Sequence, residues 1–450
     1  MTVIDWDARS GTALAVEFGD EREIRPDQGR PGFDADVAIL GLGYVGLPTA
    51  LAFHAAGARV IGVDISSRRL ADVASGAVDL LDSDHERLVK ALASDACLFT
   101  TDPRALSRAR AVIVCVPTPV DEYLVPDLEI LRRACGTVVD NAVPGQVLIM
   151  TSTTYVGCTT DFLVRPLAER GLTAGADVFV AFSPERIDPG NYTHAQEDVP
   201  RVVGGVTQSC TTVAGSVLAG YVRKVHPVSS PAAAEMTKLL ENTFRAVNIA
   251  LANEFAEASH ALQVDVMEVL DAAATKPFGF MRFNPGPGVG GHCIPCDPHY
   301  LLWQLKSRRI TSPVIEQAMT GIAGRPSRLV DRAVAVLAKA GRSLVGARVL
   351  VVGVAYKPNV EDVRESPALE VLDRLLDFGA QPSYHDPLVP SVRLGSGTVL
   401  ASVADPDPSG YDLVIAHTWH TRTERALVAD APLVLDATYR VSDLPSVHRL

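Results

Sequence analysis

Two cysteines three residues apart stand in a run dense in glycine and proline, Gly286-Pro287-Gly288-Val289-Gly290-Gly291-His292-Cys293-Ile294-Pro295-Cys296-Asp297. Three chemistries suit these residue types. Thiolate and imidazole are zinc ligands, and His292, Cys293, Cys296 and His299 fall within eight residues. No second C-x-x-C completes such a site, however, and two prolines stiffen the loop. A C-x-x-C pair can instead cycle between dithiol and disulfide, but no thioredoxin-like strand precedes this one. The third chemistry is nucleophilic: Cys293 as a thiolate, the glycine amides as donors to an oxyanion, and Asp297 four residues on. A purely structural cysteine is the plain alternative, although such cysteines seldom sit in a loop of this kind.

A second constellation lies near the start. Gly41-Leu42-Gly43-Tyr44-Val45-Gly46 fits G-x-G-x-x-G, follows the apolar run VAIL (37–40) and opens an apolar helix. Asp64 closes the next strand, 18 residues after Gly46. Glycines there let backbone approach a pyrophosphate at a helix N-terminus, and the carboxylate can accept from a ribose diol. An anionic Asp64 would repel a 2′-phosphate and so favours NAD over NADP, with Arg68 and Arg69 as the opposing consideration. Oxidising an alcohol once needs no cysteine. Carrying an aldehyde onward does, because thiolate addition makes a thiohemiacetal that can lose hydride to become a thioester. The pair of sites points to a four-electron oxidation or an aldehyde dehydrogenase. A zinc-dependent alcohol dehydrogenase and a non-enzymatic nucleotide-binding sensor are the competing classes.

These groups need a scaffold. VAIL (37–40), VIGV (60–63), AVIVCV (111–116), VLIMT (147–151) and VFVAF (178–182) are short apolar runs alternating with helical stretches, the pattern of a parallel sheet buried on both faces. From Pro231 the period changes to that of a long helix capped by Ser230, with Met236, Leu240, Phe244, Val247 and Leu251 forming an apolar stripe. RVLVVGV (348–354), YDLVIA (411–416) and PLVLDA (432–437) announce a second αβ block. The expected fold is α/β: two Rossmann-like, doubly wound parallel-sheet domains joined by a long central helix and helical connector. The divisions are an extension over 1–33, a first sheet domain over 34–229, a helical connector with the cysteine loop over 230–335, and a second sheet domain over 336–450.

The 450 residues carry 41 Lys and Arg against 53 Asp and Glu, a balance of −12 that argues against nucleic acid as the main partner. Seven cysteines in so long a chain form no disulfide framework, and a reducing cytoplasm is the expected location. Val37–Ala58 lacks charged side chains, but its four glycines and a proline suit a strand, a turn and a buried helix better than a membrane span.

Taken together, the motifs resemble those of the UDP-glucose/GDP-mannose dehydrogenase family of nucleotide-sugar 6-dehydrogenases. GLGYVGLP (41–48), CVPTPV (115–120), TSTTYVGCTT (151–160), FSPERIDPGN (182–191), AAEMTKLLENTFRAVNIALANE (233–254), GPGVGGHCIPCDP (286–298), GVAYKPNVEDVRESPA (353–368) and DATYR (436–440) occur in the family's order over about residues 36–445. The resemblance implies Cys293 as nucleophile, Lys238 and Asn242 as the holders of the C6 oxyanion, Asp297 and Thr153 as the holders of a proton-transfer water, and Glu185 as an aid to thioester hydrolysis. Read without it, Lys238 is a solvated helix lysine paired with Glu235 or Glu241. The resemblance further implies NAD held by Gly41, Gly43, Tyr44, Val45, Gly46, Asp64, Pro117, Thr118, Thr153 and Arg364, and no metal. Substrate contacts fall to Glu185, Arg186, Ile187, Lys238, Asn242, Asn284, Gly290, Lys357 and Arg440. The implied substrate is a nucleoside-diphosphate hexose: UDP-N-acetylglucosamine or UDP-glucose first, with dTDP-glucose, UDP-N-acetylmannosamine and GDP-mannose as alternatives. A homodimer through the central helix is implied as well, with neither nucleic acid nor membrane as partner. Two departures stand out: Cys296 where some relatives carry a pyrophosphate-binding lysine, and Pro189 where some carry a second glutamate. The first, by its three-residue spacing, leads to the expectation of a Cys293–Cys296 disulfide under oxidation.

Overall fold

The computed structural model describes residues 32–78, 80, 82–186, 195–291, 293–421, 423, 425–441 and 447–450, so all but the last two residues of the expected N-terminal extension lie outside it. The first sheet has eight strands: β1 (Ala35–Leu40), β2 (Val60–Val63), β3 (Cys97–Thr100), β4 (Ala109–Val114), β5 (Val147–Met150), β6 (Phe179–Phe182), β7 (Arg201–Gly205) and β8 (Val225–Val228). Their spatial order is β3-β2-β1-β4-β5-β6-β7-β8. The first six are parallel, as their uninterrupted apolar runs require, and cores of buried Val, Ile, Leu and Ala lie on both faces. One junction departs from the all-parallel expectation: β7 runs antiparallel to β6 and carries β8 parallel beside it. The charge-free Val37–Ala58 stretch is β1, the glycine turn and a helix over Gly46–Ala55.

Ser230 caps the central helix, Pro231–Ala261, by accepting from the amide of Ala233 at 3.2 Å, and proline opens it. Thirty-one residues at 1.5 Å each make a rod about 46 Å long. Its buried face is mostly small or polar, among them Ala234, Lys238, Ala246, Ala250 and Asn253, with Leu239 as the large aliphatic exception. Of the expected stripe, Met236, Leu240, Phe244 and Leu251 face outward, with Leu240 63% and Phe244 47% exposed, whereas Val247 packs against the core that holds Ala246 and Ile322.

Helices over Asp297–Ser307, Pro313–Ala323 and Arg325–Lys339 lead to the second sheet. Its strands are β9 (Arg348–Val352), β10 (Gln381–His385), β13 (Leu413–Ala416), β14 (Val434–Asp436) and β15 (Val447–Arg449), and a side hairpin pairs β11 (Ser391–Arg393) with β12 (Val399–Ala401). The five-stranded order β10-β9-β13-β14-β15 is parallel throughout. The division expected at 335 falls inside the helix Arg325–Lys339. Leu329, Val330, Ala333, Val336 and Leu337 share one core with β9 and β13, so this helix packs as part of the second sheet unit. No helix among the described residues is long and apolar enough to cross a membrane.

Candidate active site

In the first sheet the strand order reverses between β1 and β4, so the chain leaves these neighbours in opposite directions and opens a crevice at their C-terminal ends. The glycine turn lies there. Gly41 has φ of +94°, and a side chain on it would overlap the carbonyl of Cys115 on the β4 exit. A side chain on Gly46 would overlap the carbonyl of Gly41, whereas one on Gly43 would meet nothing within 4 Å. Two glycines thus allow the turn to close, and the third leaves its outer side open to a ligand at the N-terminus of the helix Gly46–Ala55. Asp64 accepts from the amides of Leu42 at 2.8 Å and Ser66 at 2.9 Å, which fixes its carboxylate beside the turn. Of the two nearby arginines, Arg69 is engaged with the Leu42 carbonyl at 2.7 Å, and Arg68 is exposed. Thr118 follows Pro117 out of β4, and its carbonyl accepts from the Tyr300 hydroxyl at 3.2 Å. Arg364 reaches over from the second sheet unit: its guanidinium carbon sits 4.2 Å from the Tyr44 ring centroid, and Asp362 accepts from its Nε at 2.8 Å. An open glycine cradle, a fixed carboxylate for a ribose and a guanidinium over the turn fit a dinucleotide.

A second cluster forms where three segments converge. Lys238 and Asn242, one turn apart on the central helix, face the start of the helix Asp297–Ser307. Asp297, only 2% exposed, accepts from the Asn242 side-chain amide and from the Thr153 hydroxyl at 3.5 Å. Burial pushes the Asp297 carboxyl up to about 6, against the pull of the Lys238 charge and of its two hydrogen bonds. Lys238 is 9% exposed, and its Nζ donates to the Glu185 carbonyl at 2.7 Å. The solvated-lysine reading therefore fails. Glu235 is bound to the Gly157 and Thr159 amides, and Glu241 to Arg186, so neither is the lysine's counter-ion.

Cys293 is exposed in the turn that leads into this helix, and its carbonyl accepts from the Asp297 amide at 2.8 Å. Cys296 is buried, and burial pushes its thiol up to about 12, so it is protonated at neutral pH. Neither cysteine is part of a disulfide. His292 lies outside the described residues, and among the described ones no three His, Cys, Asp or Glu side chains stand together as metal ligands would.

The cysteine loop is pressed against the second sheet unit. A side chain on Gly290 would come within 2.6 Å of the Glu365 carbonyl and 2.7 Å of Tyr356 Cβ; one on Gly288 would come within 2.7 Å of Pro367. Gly291, at φ +78°, donates its amide to the Arg364 carbonyl at 3.0 Å. Lys357 follows Tyr356 directly, with its ammonium 5.8 Å from that ring's centroid. Glycine at 290 is thus required by close packing, and the cysteine loop and the Tyr356–Lys357 turn form one contact.

Other expected residues are placed differently. The Glu185 carboxylate is ion-paired with the fully buried Arg201 on β7 and accepts from the Arg186 amide at 2.7 Å. Arg186 itself bonds Glu241 on the central helix and the Pro200 carbonyl at 2.8 Å. Asn284 is exposed and accepts from Arg282 at 2.9 Å; Arg440 is exposed in the turn that follows β14. Among the described residues neither of these two hydrogen-bonds to the Asp297 cluster. Ile187 and Pro189 lie outside the described residues. Arg201 was not foreseen, because an arginine opening an apolar strand looks like any strand-end charge until the antiparallel return of β7 brings it beneath Glu185.

Comparison with known proteins agrees with this geometry. Three domains of the UDP-glucose/GDP-mannose dehydrogenase family match in succession: the NAD binding domain over residues 35–221, the central domain over 232–321 and the UDP binding domain over 350–442. The chain is 34% identical over 391 residues to the UDP-N-acetyl-D-glucosamine 6-dehydrogenase of Pseudomonas aeruginosa, a match spanning 86% of this chain and 91% of that one. It is 37% identical over 361 residues to the UDP-N-acetyl-D-mannosamine dehydrogenase of Pyrococcus horikoshii, covering 78% and 84% of the two chains. The solved structure of the UDP-D-ManNAc dehydrogenase from the same organism superposes with a TM-score of 0.84 at 30% identity, over 92% of this chain and 98% of that one. The chain belongs to the UDP-glucose/GDP-mannose dehydrogenase family and is an NAD-dependent nucleotide-sugar dehydrogenase.

Proposed function

We propose that this member of the UDP-glucose/GDP-mannose dehydrogenase family converts a UDP-N-acetylhexosamine, two NAD⁺ and water into the uronate, two NADH and three protons, with Cys293 as the covalent nucleophile. The sugar class rests on the two relatives named above, both of which carry UDP-N-acetylhexosamines in their names. The observation that carries the mechanism is the convergence of Lys238, Asn242, Thr153 and Asp297 at the root of the Cys293 loop.

The glycine turn, Asp64 and Arg364 would hold NAD, which when bound would supply the hydride acceptor for each oxidation at C6. The protein's own groups do the rest. Asp297, ionised above its raised pKa, draws the C6 hydroxyl proton through a water shared with Thr153. The Lys238 ammonium and the Asn242 amide stabilise negative charge on that oxygen. The Cys293 thiolate adds to the aldehyde, and the resulting thiohemiacetal is oxidised to a thioester. Water then releases the acid and returns the thiolate. The Glu185 carboxylate, paired with Arg201, aids this hydrolysis, while its carbonyl aims Lys238. Lys357 and Arg440 suit the diphosphate of the substrate by charge.

Two copies of the chain pair through the outward apolar stripe of the central helix, where Met236, Leu240, Phe244, Leu251 and Phe255 are all exposed in the single chain. Cys293→Ala tests the covalent step. Wild type is expected to release two NADH per sugar oxidised, and the variant no uronate at all. Full uronate production by Cys293→Ala would remove the thioester from the mechanism.

A further inference from the structure

Thr153 lies on the loop between β5 and the short helix beginning at Thr160, and a loop by itself places a hydroxyl poorly. Two side chains outside the reacting cluster hold this loop. On the central helix, the buried Glu235 carboxylate accepts from the Gly157 amide at 2.6 Å, the Thr159 amide at 2.9 Å and the Thr159 hydroxyl at 2.6 Å. On the helix Asp297–Ser307, the Gln304 side chain accepts from the Val156 amide at 3.0 Å and donates to the Val156 carbonyl at 2.7 Å. Glu235 is seven residues before Asn242, and Gln304 is seven after Asp297. Seven residues are about two helical turns, so each helix presents one residue to the reacting cluster and another, on the same face, to the loop.

We infer that Glu235 and Gln304 are positioning residues, a two-helix bracket that sets the Thr153 hydroxyl onto the Asp297–Asn242 pair. The inference rests on the mechanism proposed above and extends it by two residues whose side chains bond the loop rather than the reacting cluster. Both helices must keep their mutual spacing for the loop to satisfy both brackets at once. The Thr153–Asp297 contact, at 3.5 Å, is the longest link in the assembly and the first to open if either tie is cut.

The test crosses Gln304→Ala and Glu235→Gln with Thr153→Ala. Gln304 is half-exposed, so water can replace its amide and the variant folds even if Glu235→Gln does not. In an otherwise wild-type chain each bracket variant is expected to lower kcat by about tenfold while KM for the nucleotide sugar changes by less than about twofold, as misplacement of one catalytic group does. Each also moves the low-pH limb of the rate profile upward, because the Thr153 hydrogen bond favours ionised Asp297. In the Thr153→Ala background neither should slow the enzyme further. A bracket variant that leaves kcat unchanged in the wild-type background, or slows both backgrounds by the same factor, overturns the bracket. A silent Thr153→Ala overturns the bracket together with the proton-transfer role on which it depends, whereas a slow Thr153→Ala beside silent bracket variants overturns the bracket alone.

Discussion

The Asp297 carboxyl should be visible as a titration in both rate and stability. Burial raises it from the ordinary 3.8 to about 6, a shift of about two units. At about 1.4 kcal/mol per unit, this is about 3 kcal/mol between its two protonation states. The sign follows from which state is the weaker acid. Folded Asp297 holds its proton to higher pH than the unfolded side chain, so its protonation stabilises the fold fully below about 3.8, and that contribution is lost as pH rises through about 6. Catalysis runs the other way, since only the carboxylate accepts a proton. With a pKa of about 6, the ionised fraction, and with it kcat/KM, falls about tenfold between pH 7 and pH 5. Initial NADH release measured across this range in buffers of constant ionic strength gives the profile. Asn242→Leu removes a hydrogen bond that supports the carboxylate, so its limb should shift to higher pH. A flat wild-type profile between pH 5 and 7, or an unchanged limb in Asp297→Asn, would refute the assignment.

Two further substitutions probe the cofactor and the outward face. Arg364→Leu removes the guanidinium from over the glycine turn; a charge-assisted hydrogen bond to the dinucleotide is worth about 1.5–3 kcal/mol, so KM for NAD should rise by about tenfold or more with the nucleotide-sugar KM little changed, and an unaltered NAD titration would argue against its role. A Leu240→Asp/Phe244→Asp double variant puts two charges into the proposed dimer face, and sedimentation should show monomer where wild type shows dimer; equal oligomeric states would move the interface elsewhere.

Local chemistry made much of this readable in the chain. Gly41, Gly43, Gly46 and Asp64 could be assigned because a strand, a turn, a helix and an acid in that order solve one local problem, the approach of backbone to phosphate. Ser230 and Pro231 marked the start of the central helix for equally local reasons. The cysteine loop declared its density of glycine, but not that Gly288, Gly290 and Gly291 serve to admit Tyr356, Glu365 and Pro367 from more than sixty residues away.

What the amino-acid order determined by itself was the most apolar strands (β1, β2, β4, β5, β6, β9, β13 and β14), the start of the central helix, the dinucleotide turn and the candidate nucleophile, because each depends on residues within about twenty positions of one another. Only the tertiary structure decided the surroundings of the ionisable groups. Lys238 changes from a solvated helix lysine to a buried donor on the Glu185 carbonyl, and Asp297 from an ordinary carboxylate to one titrating at about 6. Arg201 becomes the buried partner of Glu185, and Glu235 and Gln304 become the two arms around the Thr153 loop. Desolvation and charge pairing depend on what packs against a group from distant parts of the chain. That information is created when the two sheets and the central helix come together.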